Sequence, residues 1–242
     1  MQGQMKKARL KHIYNGVFLF LALVFIFAFG GSKILKAYIE MGIGSCRDNP
    51  MLCMVPGGEI RSYKGDTLYL SGLVLYRLPG MTISLPRGFL VVKEAIKKPY
   101  YKKRLRKSSE NAIYLLQQKE DFFLNLFPSL RKKGIKNNYD FLYYTMHATP
   151  DKMNSLTDAF FMIMKAIFTP DLGRGKDIRM TTWRIGEVSG FINYNLASSG
   201  NYFDCNIVDG QGVFYKIYIK DKACRLNLDK VLMIISSIKK TG

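Results

Sequence analysis

An uncharged segment close to the N-terminus constrains this chain more than any other feature. Between Lys11 and Lys33 the sequence runs for 21 residues without Lys, Arg, Asp or Glu, and residues 17–29 are continuously apolar. A helix of that length is roughly 30 Å long, which matches the hydrocarbon core of a bilayer. We therefore predict a basic tail over residues 1–12 and a single transmembrane helix over residues 13–32.

The charges that flank this segment predict its orientation. Four cations precede it and three follow it: Lys6, Lys7, Arg9 and Lys11, then Lys33, Lys36 and Arg47. Because positive charge concentrates on the cytoplasmic side of a membrane span, we expect a cytoplasmic N-terminus and an exported main domain. The corresponding location is the bacterial inner membrane, with the domain periplasmic or extracellular.

Two other interpretations of the segment stay open. A cleaved signal peptide also has a basic start, an apolar stretch and a small-residue triplet, for which residues 28–30 would serve. The length of the uncharged stretch and its bulky phenylalanines favour a retained anchor. The modest difference in flanking charge also leaves open a reversed topology, with the basic domain inside.

The rest of the chain has the composition of a folded domain. Of the 242 residues, 48% are hydrophobic and 13% are aromatic, which is enough apolar surface to form a core. We find no internal repeat and no linker that would divide this part. We therefore predict a connecting segment over residues 33–66 and one exported α+β domain over residues 67–242.

Hydrophobic periodicity predicts mixed elements in the first half of this domain. We expect two strands, then a helix, then a strand that holds His147: residues 67–78, 81–92, 113–127 and 141–149. The helix is the least certain of these from pattern alone, because residues 112–116 fit a strand equally well.

The second half begins with a helix whose start has the form of a capping box, Ser155 to Asp158. Its apolar residues repeat on one face, which we expect to face the core: Leu156, Ala159, Phe160, Ile163, Met164 and Ile167. Strands and a last helix follow, over residues 178–184, 188–195, 202–208, 213–220 and 228–239. A turn at residues 209–212 would join the last two strands.

Together these elements predict an α+β fold in which an antiparallel sheet packs with helices. In the last strand, apolar residues alternate with Lys216 and Lys220. Alternation of this kind predicts that one face of the sheet is solvated.

The chain has four cysteines, and an even number in an exported protein suggests disulfides. We predict local bonds, Cys46 with Cys53 and Cys205 with Cys224. Free buried cysteines are the alternative. A metal site is weakly supported, because the spacing of the cysteines is not that of a zinc site.

No set of residues in the sequence has the pattern of a catalytic site. His147 is the candidate base of the exported part, and it lies in an apolar stretch without a nucleophile motif. Glu120 and Asp121 are adjacent and would point in different directions on a helix. We therefore predict no catalytic residue, cofactor or metal. An enzyme with an unrecognised site would need His147 close to Cys205 or to a carboxylate cluster.

The sharpest chemical feature is a basic run over residues 97–107, within a chain of net charge +19. Its seven cations are the candidate site for an anionic partner: Lys97, Lys98, Lys102, Lys103, Arg104, Arg106 and Lys107. Such a surface attracts lipid head groups or an acidic protein or polymer. Nucleic acid suits the same chemistry, but an exported domain would not meet it unless DNA is transported. A merely solvated loop is the simplest alternative.

The order of elements resembles that of PsbP-like proteins of the thylakoid lumen and their bacterial relatives, from Leu68 to Lys239. The resemblance rests on the strand pair in TISLPRGFLVV, the middle helices, the antiparallel strands and the last helix, which ends in IISSIKK. It implies an α/β/α sandwich and a non-catalytic accessory of a membrane complex. The size and layout are also similar to those of single-pass scaffold subunits of bacterial secretion machines.

These observations lead to one main expectation about function. We expect a non-enzymatic, membrane-anchored accessory or assembly subunit of a membrane protein complex, with the bilayer and protein partners as its contacts. The alternatives are an extracytoplasmic lipid- or polymer-binding module, a secretion scaffold subunit and an exported enzyme. The sequence identifies no small-molecule ligand.

Overall fold

The computed structural model describes residues 37, 41–47, 49–64, 67–78, 80–93, 111–169 and 178–241. The predicted tail, the predicted transmembrane helix and the basic run lie outside these ranges. Within them, no helix has both the length and the apolar character needed to cross a bilayer.

Strands and helices alternate irregularly along the described chain. The strands are β1 (Gly57–Ile60), β2 (Leu73–Leu78), β3 (Met81–Pro86), β4 (Leu90–Lys93), β5 (Ala112–Gln118), β6 (Ile178–Ile185), β7 (Val188–Ala197), β8 (Gly200–Val208), β9 (Phe214–Asp221) and β10 (Lys239–Lys240). The α-helices are α1 (Thr67–Ser71), α2 (Phe122–Leu126), α3 (Asn138–His147), α4 (Leu156–Phe168) and α5 (Leu228–Ser236). Short 3-10 helices cover Pro50–Leu52, Pro128–Lys133 and Pro150–Lys152.

The strands form two sheets. The larger has the order β1-β6-β7-β8-β9-β5-β4, and the smaller has the order β10-β3-β2. In the larger sheet β1 pairs with β6 and β4 pairs with β5 in parallel, whereas the strands between them are antiparallel. The fold is therefore α+β, as predicted, but its main sheet is mixed and only its centre is antiparallel.

The larger sheet is the middle layer of a sandwich. On one face, side chains of β7, β8 and β9 pack against β3 and α5, with Ile217, Leu85 and Leu232 in one core cluster. On the other face, side chains of the same strands pack against α2, α3 and α4 around Phe123 and Phe141. The rings of these two phenylalanines are stacked with centroids 4.1 Å apart.

The prediction of one solvated sheet face is wrong, because helices cover the face on which Lys216 and Lys220 lie. These two side chains are 5% and 2% exposed. In β9 the lysines and the apolar side chains that alternate with them point to opposite faces of the sheet, and both faces are buried. Periodicity alone cannot separate these cases, because both produce a period of two.

Three element predictions from the first half are corrected by the structure. Residues 141–149, predicted as a strand, belong mostly to α3. This helix starts at a cap in which Asn137 Oδ1 accepts from the Asp140 amide over 2.8 Å. Residues 112–118 form a strand and only Phe122–Leu126 is helical, so the alternative for 112–116 is the correct one. Residues 67–71 are helical, and the strand begins at Leu73.

The second half of the domain follows the prediction closely. Ser155 Oγ accepts from the Asp158 amide at the start of α4, and β6 to β9 lie at the predicted positions. The turn between β8 and β9 is held by Asp209, whose Oδ1 accepts from the Val213 amide over 2.9 Å. Its Oδ2 accepts from the Tyr215 hydroxyl over 2.9 Å. Burial and this hydrogen bond raise the pKa of Tyr215.

Close packing of strands around Gly190 gives a test of the fold. A Cβ atom added at Gly190 would lie 2.0 Å from Asn206 O, a backbone atom of β8. We expect Gly190→Ala to lower the free energy of unfolding by about 3 kcal/mol or more, since two paired strands must move apart. Urea unfolding followed by the fluorescence of Trp183, the single tryptophan, measures this change.

Gly58 provides the matched control, because a Cβ added there meets nothing within 4 Å. Gly58→Ala is expected to change the stability by less than about 0.5 kcal/mol. Equal losses in the two variants would contradict the assigned register of β7 and β8.

Candidate functional site

The basic run is the predicted site for an anionic partner, and its seven cations lie outside the described residues. The described residues on either side of the run are Lys93, at the end of β4, and Asn111, before β5. β4 is an outer strand of the larger sheet and pairs in parallel with β5. The chain that carries the basic run therefore leaves and rejoins the domain at one edge of this sheet.

The structure contains one of the two predicted disulfides. Cys46 and Cys53 are bonded, with Cα atoms 5.6 Å apart. The prediction of a second bond is wrong, because Cys205 and Cys224 are free thiols. Cys205 lies opposite Ile217 in the middle of the β8–β9 pair, whereas Cys224 follows the end of β9. Their separation of several strand residues, on the order of 15 Å, exceeds the reach of a disulfide.

His147 lies at the end of α3, and its ring contacts Tyr143 one turn earlier in the same helix. Its Nδ1 is 2.8 Å from Tyr143 O, and its ring stacks on the Tyr143 ring with centroids 4.1 Å apart. Burial lowers the pKa of His147, against the opposing effect of the Tyr143 carbonyl. His147 does not meet Cys205, because Cys205 packs on the opposite face of the larger sheet. Within the described ranges, no three metal-ligating side chains come together.

A buried polar cluster, which the sequence did not predict, lies between the larger sheet and the helices. Lys216 Nζ lies 2.9 Å from Asp204 Oδ1 and donates to Asp204 Oδ2 over 3.1 Å. It also donates to Asn206 Oδ1 and to Phe168 O, over 3.0 and 2.8 Å. Asp204 Oδ2 accepts further hydrogen bonds from the amide groups of Asn193 and Asn206.

Every charged atom of this cluster is directed at another part of the fold. Asp204, Asn193 and Asn206 are fully buried, and Lys216 lies over the Phe168 ring at 5.3 Å. The cluster therefore connects three central strands to the last turn of α4. Buried charges of this kind are retained only when they are paired and hydrogen-bonded, as these are.

A second buried lysine, Lys165, joins α4 to the segment that precedes β1. Its Nζ donates to Met54 O and, over 2.7 Å, to Ala148 O. Burial lowers the pKa of Lys165 to about 7, although Asp151 opposes this effect. A neutral amine still has two N–H groups, so both carbonyl partners keep a donor after the proton is lost. Met54 directly follows the Cys46–Cys53 loop, which is thereby fixed to the helical layer.

A groove of about 830 Å³ opens where β5 ends. Its lining side chains come from β5, α2, the β8–β9 turn and β10: Gln117, Gln118, Lys119, Glu120, Phe122, Asn125, Val213 and Lys240. Lys240 Nζ donates to Glu120 Oε1 over 2.9 Å and so closes one side. Gln118 is 6% exposed.

The outward side of α4 differs from its prediction. Leu156, Ile163 and Ile167 were expected to face the core, but they are 69%, 38% and 52% exposed. They follow one another at spacings of seven and four residues and so lie on one line along the helix. We call this line the α4 outer face. Ala159 and Met164 of the predicted face are buried, as predicted, and Met162 is buried beside them.

These sites differ in what they can do chemically. The Asp204–Lys216 cluster and Lys165 are occupied by internal partners and hold layers together. The α4 outer face presents apolar side chains to the surroundings. Exposed apolar groups that lie together are typical of contact surfaces.

The central ion pair predicts strong and non-additive effects of mutation. Lys216→Met leaves Asp204 buried without its cation, and we expect a loss of about 3–5 kcal/mol of unfolding free energy. The double variant Lys216→Met with Asp204→Asn removes both charges, so it should be more stable than Lys216→Met alone. Urea unfolding of the four members of this cycle tests the pair. Additive losses would show that the two charges do not stabilise each other.

Lys165 predicts a dependence of stability on pH. The unfolded chain keeps this lysine protonated up to about pH 10.5, whereas the folded chain loses the proton near pH 7. Raising the pH between these values therefore favours the folded state, and Lys165→Met lacks this gain. The comparison is urea unfolding of both proteins from about pH 6 to about pH 10.

The quantity to compare is the difference in unfolding free energy between the wild type and Lys165→Met at each pH, because other titrating groups affect both proteins alike. Lys220, whose pKa is also lowered by burial, is one such group. We expect the wild type to gain stability relative to Lys165→Met as the pH rises. A constant difference would contradict the burial of a titrating lysine at this position.

Comparisons of the chain with models of protein families, with curated proteins and with solved structures found no match. The functional assignment therefore depends on the residues of this chain alone.

Proposed function

We propose that this protein is a non-enzymatic accessory or assembly subunit of a membrane protein complex, anchored by residues 13–32 with its α+β domain exported from the cytoplasm. The resemblance to PsbP-like proteins leads to the same proposal. In this scheme the domain is a rigid body that offers contact surfaces, and residues 97–107 bind an acidic partner at the edge of the larger sheet.

The α4 outer face is the observation that carries this proposal. α4 is apolar on its buried sides and also on the side that faces outward. A helix that is hydrophobic all round is normally covered on all sides. On its buried sides α4 packs against α3, Pro50–Leu52 and the core around Phe123. A domain that exposes such a helix is suited to docking.

The charge of the chain supports the second part of the proposal. The net charge is +19, and seven cations lie within eleven residues of the basic run. The run connects β4 to β5, so it joins the domain at an outer strand of the larger sheet.

The experiment is gentle detergent extraction of native membranes, followed by size separation and mass spectrometry. We expect the chain to migrate with a defined set of membrane proteins. A variant in which the seven cations are replaced by Gln should lose part of this association, because its attraction to an acidic partner is removed. Its urea unfolding should match that of the wild type, since these residues belong to no described core.

The control uses three exposed cations on the helical side of the domain. In this variant Gln replaces Lys132, Lys133 and Lys136. This control should keep the association. Unchanged association of the first variant would remove the role of the basic run. Migration of the wild type as a lone protein of 27.7 kDa would contradict the proposed subunit function.

The groove at the end of β5 favours a second candidate, a polymer- or lipid-binding module. Its volume is within the usual range of ligand sites, and Gln118 and Asn125 bring amide groups to its wall. Migration as a lone protein in the extraction experiment would favour this candidate over the first.

A further inference from the structure

We infer that the α4 outer face docks on the surface of the lipid bilayer, so that the helical layer of the domain lies against the membrane. This inference rests on the proposed function, because it requires the anchor at residues 13–32. It assigns a partner to the α4 outer face and leaves the basic run free for a protein partner.

The first support is the chemistry of the helix. α4 contains three residues with polar or charged side chains, Thr157, Asp158 and Lys165. Asp158 accepts hydrogen bonds from Ser155 Oγ and the Asn154 amide at the helix cap, and Lys165 is fully buried. No charged side chain of the helix therefore lies on the α4 outer face. Contact with the bilayer there would desolvate the aliphatic side chains of Leu156, Ile163 and Ile167.

The second support is the place at which the chain enters the domain. Ile43 and Leu52 pack in one cluster with Ala159, Met162 and Ala166, along one flank of α4. Lys165 then fixes the chain at Met54. In the part of the chain that the structure describes, the segment that follows the predicted membrane helix therefore packs against α4.

The length of the connection places α4 near the membrane. From residue 32, the end of the predicted span, to Ile43 there are eleven residues. These cover roughly 17 Å if helical and at most about 40 Å if extended. Residues 41–43 are helical, which favours the shorter distance. With the anchor in the bilayer, Ile43 and the part of α4 on which it packs lie within at most about 40 Å of the bilayer surface.

The third support comes from the neighbouring helix. Tyr143 and Tyr144 of α3 are 45% and 49% exposed. The Tyr144 ring stacks on Phe161 of α4 with centroids 5.7 Å apart, so this part of α3 adjoins α4. Tyrosine is favoured at the membrane interface because its ring is apolar and its hydroxyl is polar.

A bilayer suits this surface better than a second copy of the chain. A stable protein interface buries about 800 Å² on each partner. Three aliphatic side chains on one line cover much less than this. A bilayer needs no such area when the domain is tethered to it, because the tether gives a high effective concentration, roughly millimolar for a short linker. Weak insertion of a few side chains then suffices for docking.

The test uses the full chain in vesicles of phosphatidylcholine and phosphatidylglycerol, with a nitroxide label at one cysteine. The background is Cys224→Ser, which removes the exposed thiol and keeps the buried Cys205 and the disulfide. Ile163→Cys reports on the α4 outer face. Glu187→Cys is the control, because Glu187 is exposed in the turn between β6 and β7 and belongs to neither α3 nor α4.

The readout is the collision of the label with oxygen, which concentrates in lipid, and with a water-soluble nickel complex. We expect the ratio of oxygen to nickel collisions to be several-fold higher at residue 163 than at residue 187. Ile167→Asp, placed one turn away, should bring the ratio at residue 163 toward the control value, while urea unfolding stays close to that of the wild type.

Two results from the label overturn the inference. If the label at residue 163 collides with the nickel complex as often as the control label does, residue 163 is in water. A label that meets neither reagent is covered by protein, which would favour a second copy or another segment. Co-migration in native membranes would survive both results, so the proposed function and this inference can fail separately. A chain that does not float with the vesicles overturns the anchor and the inference together.

Discussion

The ion pair of Asp204 and Lys216 is the interaction on which the arrangement of layers depends. It lies at the centre of the mixed sheet, on the face that the helices cover, and its lysine reaches the last turn of α4 at Phe168. A sheet face that carries charges can be buried only if each charge has a partner, and here two asparagines complete the set. The pair thus allows this face to be buried and holds the last turn of α4 against the sheet.

The sequence predicted the parts of the fold in which one local signal dominates. The capping box at Ser155 and the alternation in β6 to β9 were sufficient for those elements. The strand predicted at residues 141–149 failed because β-favouring aromatics were weighted above the cap at Asn137. Tertiary packing around Phe123 then uses those aromatics in a helix. The burial of Lys216 could not be predicted, since its partners lie twelve and ten residues away, on β8.

In the candidate sites, too, features that depend on local sequence were predicted and features that depend on tertiary contacts were not. The bond between Cys46 and Cys53 is local and was predicted, whereas the proposed bond of Cys205 depended on strand register and was wrong. The α4 outer face was recognised as an apolar line, but the sequence does not say which side of an apolar helix meets the core. That choice depends on which neighbours occupy the other sides, here α3 and the segment before β1. The signal in the sequence that could have predicted an exposed apolar face is that α4 is apolar on every side.

The disulfide and Lys165 have a consequence for how the domain would bear mechanical load. A pull on the chain from its N-terminal side reaches Cys46 and passes across the sulfur bridge to Cys53, so the loop between them cannot be drawn out. The next residue, Met54, is held to α4 by the amine of Lys165. Force therefore enters the domain at the core of its helical layer rather than at the end of a strand that could peel away. The entry point is reinforced by a covalent bond and a buried lysine in succession.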